Sequence, residues 1–193
     1  SRAQFGKKII LEQGDLPHIV EPGFFRRCLD AGHKAVGSAI KRSVPVTHVA
    51  TGEARIDQVA GNRRIIGLNG KVISQRGSSS TKPEHHRFPE GLIDPMLKTV
   101  AFYSGKKKLV ASHYYACHPM SYYGDGRVSA DFCGLARRRR EQQDPGCVHL
   151  YFNGCGGNIG AGKYNNGSKE ARVELTQRMF RGMVESETEL TPR

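Results

Sequence analysis

The chain lacks several features that mark common classes of protein. Its 193 residues contain no Trp and only four Met, and none of its five cysteines forms a CxxC pair. A missing CxxC pair excludes a zinc ribbon and a thioredoxin-type motif, and an odd number of cysteines argues against a complete disulfide framework. We therefore expect the cysteines to be buried free thiols.

Long hydrophobic runs are also missing. The longest clean apolar runs, such as residues 9–11, are far shorter than the roughly 20 apolar residues of a membrane-spanning helix. The chain begins without an initiator Met or an apolar signal region, so we expect a processed product or a fragment. Hydrophobic residues make up 37% and charged residues 25%, which excludes a collagen, a coiled coil and a wholly disordered chain.

Acidic residues are scarce relative to basic ones. There are 18 Asp and Glu against 30 Lys and Arg, which gives a formal net charge of +12 and suggests a polyanionic partner. The basic residues cluster at 106–108 and 137–140. Four successive arginines on a helix project about 100° apart, and no aromatics are interleaved to stack on bases. We favour solvated surface over nucleic-acid binding, and a non-catalytic module that binds nucleic acid or anionic lipid is the alternative function.

The hydrophobic pattern predicts a mixed α/β fold. Apolar spacing and capping residues predict helices over residues 23–43, 129–141 and 168–186. Strand patterns cover residues 44–50, 97–103, 109–117 and 148–152. The second and third of these strands form a hairpin, and the third is apolar on both faces, which indicates a central strand covered on both sides.

This pattern divides the chain into three parts. We predict an irregular segment over residues 1–22, an α/β domain over residues 23–187 and a short tail over residues 188–193. Residues 61–91 form a long glycine-rich loop with one hairpin at Asn69-Gly70. The predicted fold class is therefore α/β, with a mixed sheet, flanking helices and glycine-rich loops.

The first candidate site lies where the predicted central strand ends, in the segment His118-Pro119-Met120-Ser121. Strand ends open into crevices, which suits a functional histidine. A single histidine does not make a zinc site, because zinc needs three or four ligands, so a purely structural His118 is the alternative. Asp131 is the nearest carboxylate in the sequence. It could orient His118 through the second ring nitrogen, or simply lie in the first turn of a helix, where the helix dipole favours it.

The second candidate site is the glycine loop over residues 153–162, directly after a buried strand. So many glycines predict positive φ angles and close approach of the backbone to a neighbour. The segment from Gly157 to Lys163 resembles a phosphate-binding loop, but Tyr164 replaces the required Ser or Thr. A tight structural turn, an anion or oxyanion site lined by backbone amides, and a nucleotide site are the three interpretations.

The third candidate site is Asn62-Arg63-Arg64 within the long loop. An arginine in an ordered loop can clamp a carboxylate or a developing oxyanion. A pair of solvated surface arginines is the alternative.

These three segments, in this order, resemble the middle of the neutral (non-lysosomal) ceramidase family. Asn62-Arg63-Arg64 is similar to that family's N-R-S motif, and Ile93-Asp94 to its step before a strand. His118-Pro119-Met120-Ser121 is similar to its H-[PG]-T-S motif. The glycine loop over residues 153–161 is similar to its loop of the type Q-G-x-x-G-D-V-N-P. The resemblance covers most of residues 24–185.

The resemblance implies a zinc enzyme that hydrolyses an amide. It implies that His118 is a zinc ligand and that Arg63 contacts the substrate or an oxyanion. It also implies a substrate pocket lined by five further residues: Asn62, Gly156, Gly157, Asn158 and Gly160. The expected substrate is lipid-like or a small amide, and the family suggests an extracellular or periplasmic location.

The sequence departs from the family at important positions. Gly160 stands where the family has its catalytic serine, and Asn158 stands where it has an Asp. The family's other zinc ligands, in an HxH motif upstream and a Glu and a Tyr downstream, match nothing here. We therefore predict part of a zinc-dependent ceramidase-like amide hydrolase, with an incomplete zinc site. The isolated chain is inactive, and the missing flanking segments of its full-length form are its expected partners.

Overall fold

The computed structural model describes residues 21–122, 126–188 and 190–192. The irregular segment predicted for residues 1–22 lies, up to residue 20, outside these described residues. The chain divides into two compact units, Ser1–Pro45 and Val46–Arg193. No helix in the described part is long and apolar enough to cross a membrane.

The described part of the first unit is dominated by one helix, α1 (Pro22–Lys41). The carboxylate of Glu21 caps its start and accepts hydrogen bonds from the backbone amides of Gly23 and Phe24. Proline at the first turn suits a helix start, because the amide that it lacks would have no partner there. The helix predicted over residues 23–43 is thereby confirmed, and none of its residues is buried.

The described part of the second unit is built from strands and three helices. The strands are β1 His48–Arg55, β2 Gly61–Asn62, β3 Arg64–Ile66, β4 Val72–Gln75, β5 Met96–Ser104, β6 Lys107–Tyr115, β7 Val148–Asn153, β8 Ile159–Gly160 and β9 Thr191–Pro192. The helices are α2 Pro83–Arg87, α3 Asp131–Gln143 and α4 Lys169–Glu185.

A five-stranded mixed sheet organises this unit. The strand order is β7-β6-β5-β1-β9, and β6 and β7 are parallel while the other neighbours are antiparallel. Two small sheets, β2-β8 and β3-β4, lie outside it. The mixed α/β class predicted from the sequence is thereby confirmed, including both hairpins, β5-β6 and β3-β4.

The helices α3 and α4 pack against each other, α3 on β7 and α4 on β1 and β5. Leu175, Met179 and Met183 recur at every fourth position of α4 and are fully buried. They join Phe132 of α3 and Leu97 of β5 in one hydrophobic core. This spacing places three side chains on one face of the helix, so burial of that face holds α4 in place.

Strand β6 is central, as the apolar pattern predicts, but it is not covered evenly on both sides. His113 and Tyr115 are buried, whereas Tyr114 on the opposite face is 39% exposed. The Tyr114 ring stacks on Phe152 of β7, with ring centroids 5.1 Å apart. The expectation that both faces are covered is therefore wrong for this end of the strand.

The first strand also differs from its predicted position over residues 44–50. It runs from His48 to Arg55 and passes straight through Gly52. A Cβ at Gly52 would lie 2.1 Å from the backbone oxygen of Ser186. This glycine therefore permits close approach by the chain after α4 and does not end the strand.

We predict that Gly182→Ala destabilises the protein, although alanine is the better helix former. Gly182 is buried in α4, and an added Cβ would lie 2.6 Å from Cγ1 of the buried Ile56. Overpacking of this kind costs about 1–3 kcal/mol. The measurement is urea denaturation followed by circular dichroism.

The matched control is Gly37→Ala in α1, where an added Cβ would meet nothing within 4 Å. Replacing an open helical glycine by alanine stabilises a helix by about 0.5–1 kcal/mol. The control should therefore leave stability unchanged or raise it. A Gly182→Ala variant as stable as the control would refute the tight contact with Ile56.

Candidate functional site

The two-residue strands β2 and β8 bring the predicted site segments together. Gly61 pairs with Gly160, and Asn62 pairs with Ile159. The backbone amide of Arg63 then donates to the carbonyl oxygen of Asn158 at 2.8 Å. The Asn62-Arg63-Arg64 motif and the glycine loop therefore form one local structure.

His118 joins the same structure from the end of β6. Its backbone amide donates to the carbonyl oxygen of Ile159 at 3.0 Å, and its Nδ1 lies 2.9 Å from the carbonyl oxygen of Gly156. Because a carbonyl only accepts, Nδ1 carries the hydrogen, and the neutral ring then has its lone pair on Nε2. Metal-binding histidines are commonly fixed in this way through the nitrogen that does not bind the metal.

Asn62 and Asn158 form a side-chain bridge across the paired strands. The Asn158 amide nitrogen donates to Asn62 Oδ1 at 2.6 Å, and the Arg64 backbone amide donates to the same oxygen at 3.0 Å. The Asn62 amide nitrogen donates to the carbonyl oxygen of Leu92 at 3.0 Å. The hydrogen bonds of the Asn62 side chain therefore hold its own segment against the glycine loop and against Leu92.

Arg63 is half-buried beside this bridge. Its Nε lies 3.5 Å from the carbonyl oxygen of Arg76, which is a long contact. A guanidinium with so weak a contact suits a residue that binds a ligand. The contact of Arg63 with a substrate stays a prediction.

Arg76 is a buried arginine that sequence reasoning missed. Its guanidinium donates to the carbonyl oxygens of Asn62, His85, Phe88 and Pro89. It thus ties the segment after α2 to β2. No sequence pattern distinguishes a buried arginine that binds backbone carbonyls from a solvated one, so this role of Arg76 could not be predicted.

Asp131 reaches the His118 segment through Ser121. Its carboxylate accepts from both the backbone amide and the hydroxyl of Ser121, and it lies 3.5 Å from Nε of Arg172. The Nδ1 of His118 contacts Gly156 rather than Asp131. A supporting role for Asp131 through the loop of Ser121 stays a prediction.

The glycine loop approaches the strand end closely, as predicted. A Cβ at Gly156 would lie 3.1 Å from the backbone carbon of Cys117, which is tighter than ordinary contacts. At Gly160 the nearest atom would be 3.6 Å away, and at Gly157 nothing lies within 4 Å. Of these three positions, only Gly156 therefore lacks the space for a larger side chain.

The expected positive φ angles are not found in this loop. Within the described residues, the glycines with positive φ lie elsewhere, at Gly70, Gly91, Gly105, Gly126, Gly146 and Gly167. The prediction is wrong because the loop needs its glycines for close packing against the backbone rather than for left-handed turns.

Cys117 lies directly before His118 but does not suit a nucleophile. It is fully buried, and burial raises the pKa of its thiol to about 12. A thiol with so high a pKa stays protonated near neutral pH, and the thiolate is the reactive form.

The geometry does not match a phosphate-binding loop. The Lys163 ammonium donates to the backbone carbonyl oxygens of His86 and Phe88. The next helix, α4, begins only at Lys169. The lysine that would hold a phosphate therefore fixes the segment after α2 instead.

The arginine run at 137–140 is used largely within the fold. Arg140 Nε donates to Glu187 at 2.9 Å, and Arg137 forms an ion pair with Glu141 at 2.9 Å. The guanidinium of Arg139 lies over the Phe180 ring, 4.1 Å from its centroid. Three of the four arginines therefore have partners within the fold.

One cleft adjoins the Asn62–Asn158 bridge and a second lies beside Ile159, and both are largely apolar. One has a volume of about 370 Å³, and its lining includes Leu92, Ile93, Met96, Tyr115, Gly154 and Ile159. The other has a volume of about 340 Å³, and its lining includes Asn62, Ile65, Ile66, Leu92 and Asn158. Leu92 lines both and is 87% exposed. The surroundings of the bridge can therefore accept an apolar ligand.

His118 fits a single position in a metal site. In the part of the chain that the structure describes, no group of three His, Cys, Asp or Glu donors includes it. The described residues therefore do not complete the expected zinc set around His118.

We predict that Asn158→Asp destabilises the site more than Asn158→Ala does. The aspartate would place a carboxylate against Asn62 Oδ1, so two acceptors would face each other. Turning the Asn62 amide over cannot relieve this, because its nitrogen and oxygen are both held by backbone groups. The expected cost is about 1–3 kcal/mol, measured by chemical denaturation at pH 7. Equal stability of the two variants would contradict the bridge.

No known family profile matches the sequence, and no curated protein does. Two solved structures do match in fold. "Ceramidase complexed with C2" has a TM-score of 0.55 and 16% identity, and the neutral ceramidase from Pseudomonas aeruginosa has a TM-score of 0.51 and 19% identity. Each match covers 74% of this chain but only 23% of the solved chain. The chain therefore has a partial ceramidase-like fold.

Proposed function

We propose that this chain forms part of the catalytic domain of a zinc-dependent, ceramidase-like amide hydrolase. The observation that carries the proposal is the setting of His118. Its Nδ1 is fixed by the carbonyl oxygen of Gly156, which assigns the lone pair of a neutral ring to Nε2, the atom that would bind the metal. The fold shared with two ceramidases supports the same conclusion.

In this proposal His118 supplies one zinc ligand, and Arg63 holds the substrate or a developing oxyanion. A bound zinc polarises a carbonyl group or activates a nucleophile. Asp131 holds the loop of Ser121, and so helps to keep His118 in position. Asn62, Asn158 and the glycines of the loop form the pocket wall.

The proposed substrate is a lipid-like or small amide. The cleft at the Asn62–Asn158 bridge and the second cleft beside Ile159 are lined mainly by apolar side chains, which suit an acyl chain. Arg63 lies next to the same bridge and supplies the polar contact that an amide or its oxyanion needs.

We propose further that the chain alone is inactive. Gly160 has no side chain to act as a nucleophile, and His118 has no partner ligands among the described residues. The matched segment is less than a quarter of each solved ceramidase. The remaining zinc ligands would then come from further polypeptide of a longer form.

We predict that the 193-residue chain binds zinc weakly through Nε2 of His118. One ligand cannot hold zinc tightly, so the site should saturate only well above micromolar zinc. The measurement is NMR of ¹⁵N-labelled histidine during a zinc titration. Before zinc is added, His118 should show the tautomer with its hydrogen on Nδ1.

His33→Ala in α1 is the control and should leave the His118 signals and their response unchanged. His118→Ala should remove the response. Tight, stoichiometric zinc at His118, or hydrolysis of a short-chain ceramide by the zinc-treated chain, would contradict the incomplete site. A His118 ring with its hydrogen on Nε2 would remove it as a ligand.

A further inference from the structure

A second polar cluster is buried where β5, β6 and β7 meet α3 and α4. Thr99, His113, His149 and Ser186 are each at most 1% exposed. They form a continuous series of contacts that ends at Asp144. The contacts are Ser186 Oγ to Thr99 Oγ1 at 2.6 Å, Thr99 Oγ1 to His113 Nδ1 at 2.8 Å, His113 Nε2 to His149 Nδ1 at 3.0 Å and His149 Nε2 to Asp144 Oδ2 at 3.2 Å.

Both ends of this series only accept hydrogen bonds. At one end the hydroxyl of Ser186 donates to the carbonyl oxygen of Met183 at 3.0 Å. That carbonyl needs the hydroxyl, because the amide of Glu187, its usual helical partner, bonds to Val184 instead. At the other end stands the carboxylate of Asp144.

The series has one hydrogen too few. Five contacts lie between the two acceptors, and two hydroxyls with two neutral imidazoles supply four hydrogens. This count takes both buried rings as neutral. Since the serine donates to the backbone carbonyl, each later donor points the same way. Two lone pairs then face each other, on His149 Nε2 and Asp144 Oδ2.

A tight turn brings a third donor to this gap. The segment Asp144-Pro145-Gly146-Cys147 has proline and glycine at its centre, Gly146 has a φ of +95°, and the Cys147 amide donates to the Asp144 carbonyl oxygen at 3.2 Å. These are features of a type II turn, which holds its first and last residues close together. The Cys147 sulfur, the His149 nitrogen and an Asp144 oxygen all lie within 4.8 Å of one another.

We propose that Asp144, Cys147 and His149 form a binding site for a divalent transition-metal ion of the zinc type. The ion lies among the ligand atoms of these three residues, which are within 4.8 Å of one another. The 3.2 Å from His149 Nε2 to Asp144 Oδ2 is near the edge of about 3.4 Å that tetrahedral zinc ligands define. Cys147 loses its thiol hydrogen to solvent as the ion binds, and a water molecule can take the fourth position.

The other possible donor group, His113, His149 and Glu187, is less suited to a metal ion. Lys108 and Arg140 contact both carboxylates, but they hold the buried Glu187 more closely: Arg140 lies 2.9 Å from Glu187 and 3.4 Å from Asp144. The two rings already share a hydrogen bond. In the proposed site this same hydrogen bond runs from His149 Nδ1 to His113. It fixes the ring that binds the ion, in the way that outer partners orient metal-binding histidines.

Lys108 is the main competitor of the metal ion. Its ammonium lies 2.6 Å from Asp144 Oδ2 and also contacts Glu187. When the ion binds, Lys108 keeps Glu187 as its partner. The ion, one thiolate and one carboxylate then sum to zero charge. The carboxylate alone carries −1, so binding adds one positive charge beside Lys108 and Arg140.

The test uses Co²⁺, because zinc has no visible spectrum. The chain should bind one equivalent at this site and show a thiolate-to-cobalt charge-transfer absorption in the near ultraviolet. Cys147→Ser should abolish this band. Asp144→Asn should weaken Co²⁺ binding at least about tenfold. Circular dichroism of each variant verifies folding.

Two controls separate this site from others. Cys155→Ser removes an exposed thiol and should leave the band unchanged, and so should His118→Ala. Retention of the band in Cys147→Ser, or its loss in Cys155→Ser, would overturn the proposal. Absence of any charge-transfer band in the folded wild-type chain would also overturn it. Gly146→Ala strains the turn and should weaken binding even though it removes no ligand.

Discussion

The pairing of β2 with β8 is the contact on which the whole candidate site depends. It is only two residues long on each side, yet it joins segments that lie almost a hundred residues apart. Gly61 makes the pairing possible, because a Cβ there would lie 3.2 Å from both Arg76 Nη1 and Lys163 Cβ. Once β8 is fixed, the carbonyl oxygens of Gly156 and Ile159 are in place to hold His118. The position of the His118 side chain therefore depends on this backbone pairing.

Much of the fold follows from periodic patterns in the sequence. The stack of Leu175, Met179 and Met183 and the β5-β6 hairpin repeat a simple spacing over many residues, and both are found in the structure. The predicted end of the first strand at residue 50 is wrong, because β1 continues through Gly52, which is required by a distant backbone oxygen. A close approach between remote segments leaves no periodic trace in the sequence.

The candidate site was less predictable than the fold. The order of its three motifs, supported by a family resemblance, placed His118 and the glycine loop in one region. The bridge between Asn62 and Asn158, and the capture of four carbonyls by Arg76, could not be foreseen. Such contacts depend on pairs of residues in irregular loops, where neither propensity nor alternation indicates a partner.

The excess of basic residues acquires a structural explanation from the same loops. A glycine-rich segment exposes many backbone carbonyls and has few side chains to cover them, so buried carbonyls need donors from elsewhere. Arg76 and Lys163 supply them to the segment after α2, and both contact the carbonyl oxygen of Phe88. Lys and Arg only donate, which makes them suited to this task. Part of the positive charge is thus a consequence of holding irregular backbone in one conformation, and the site at His118 rests on that backbone.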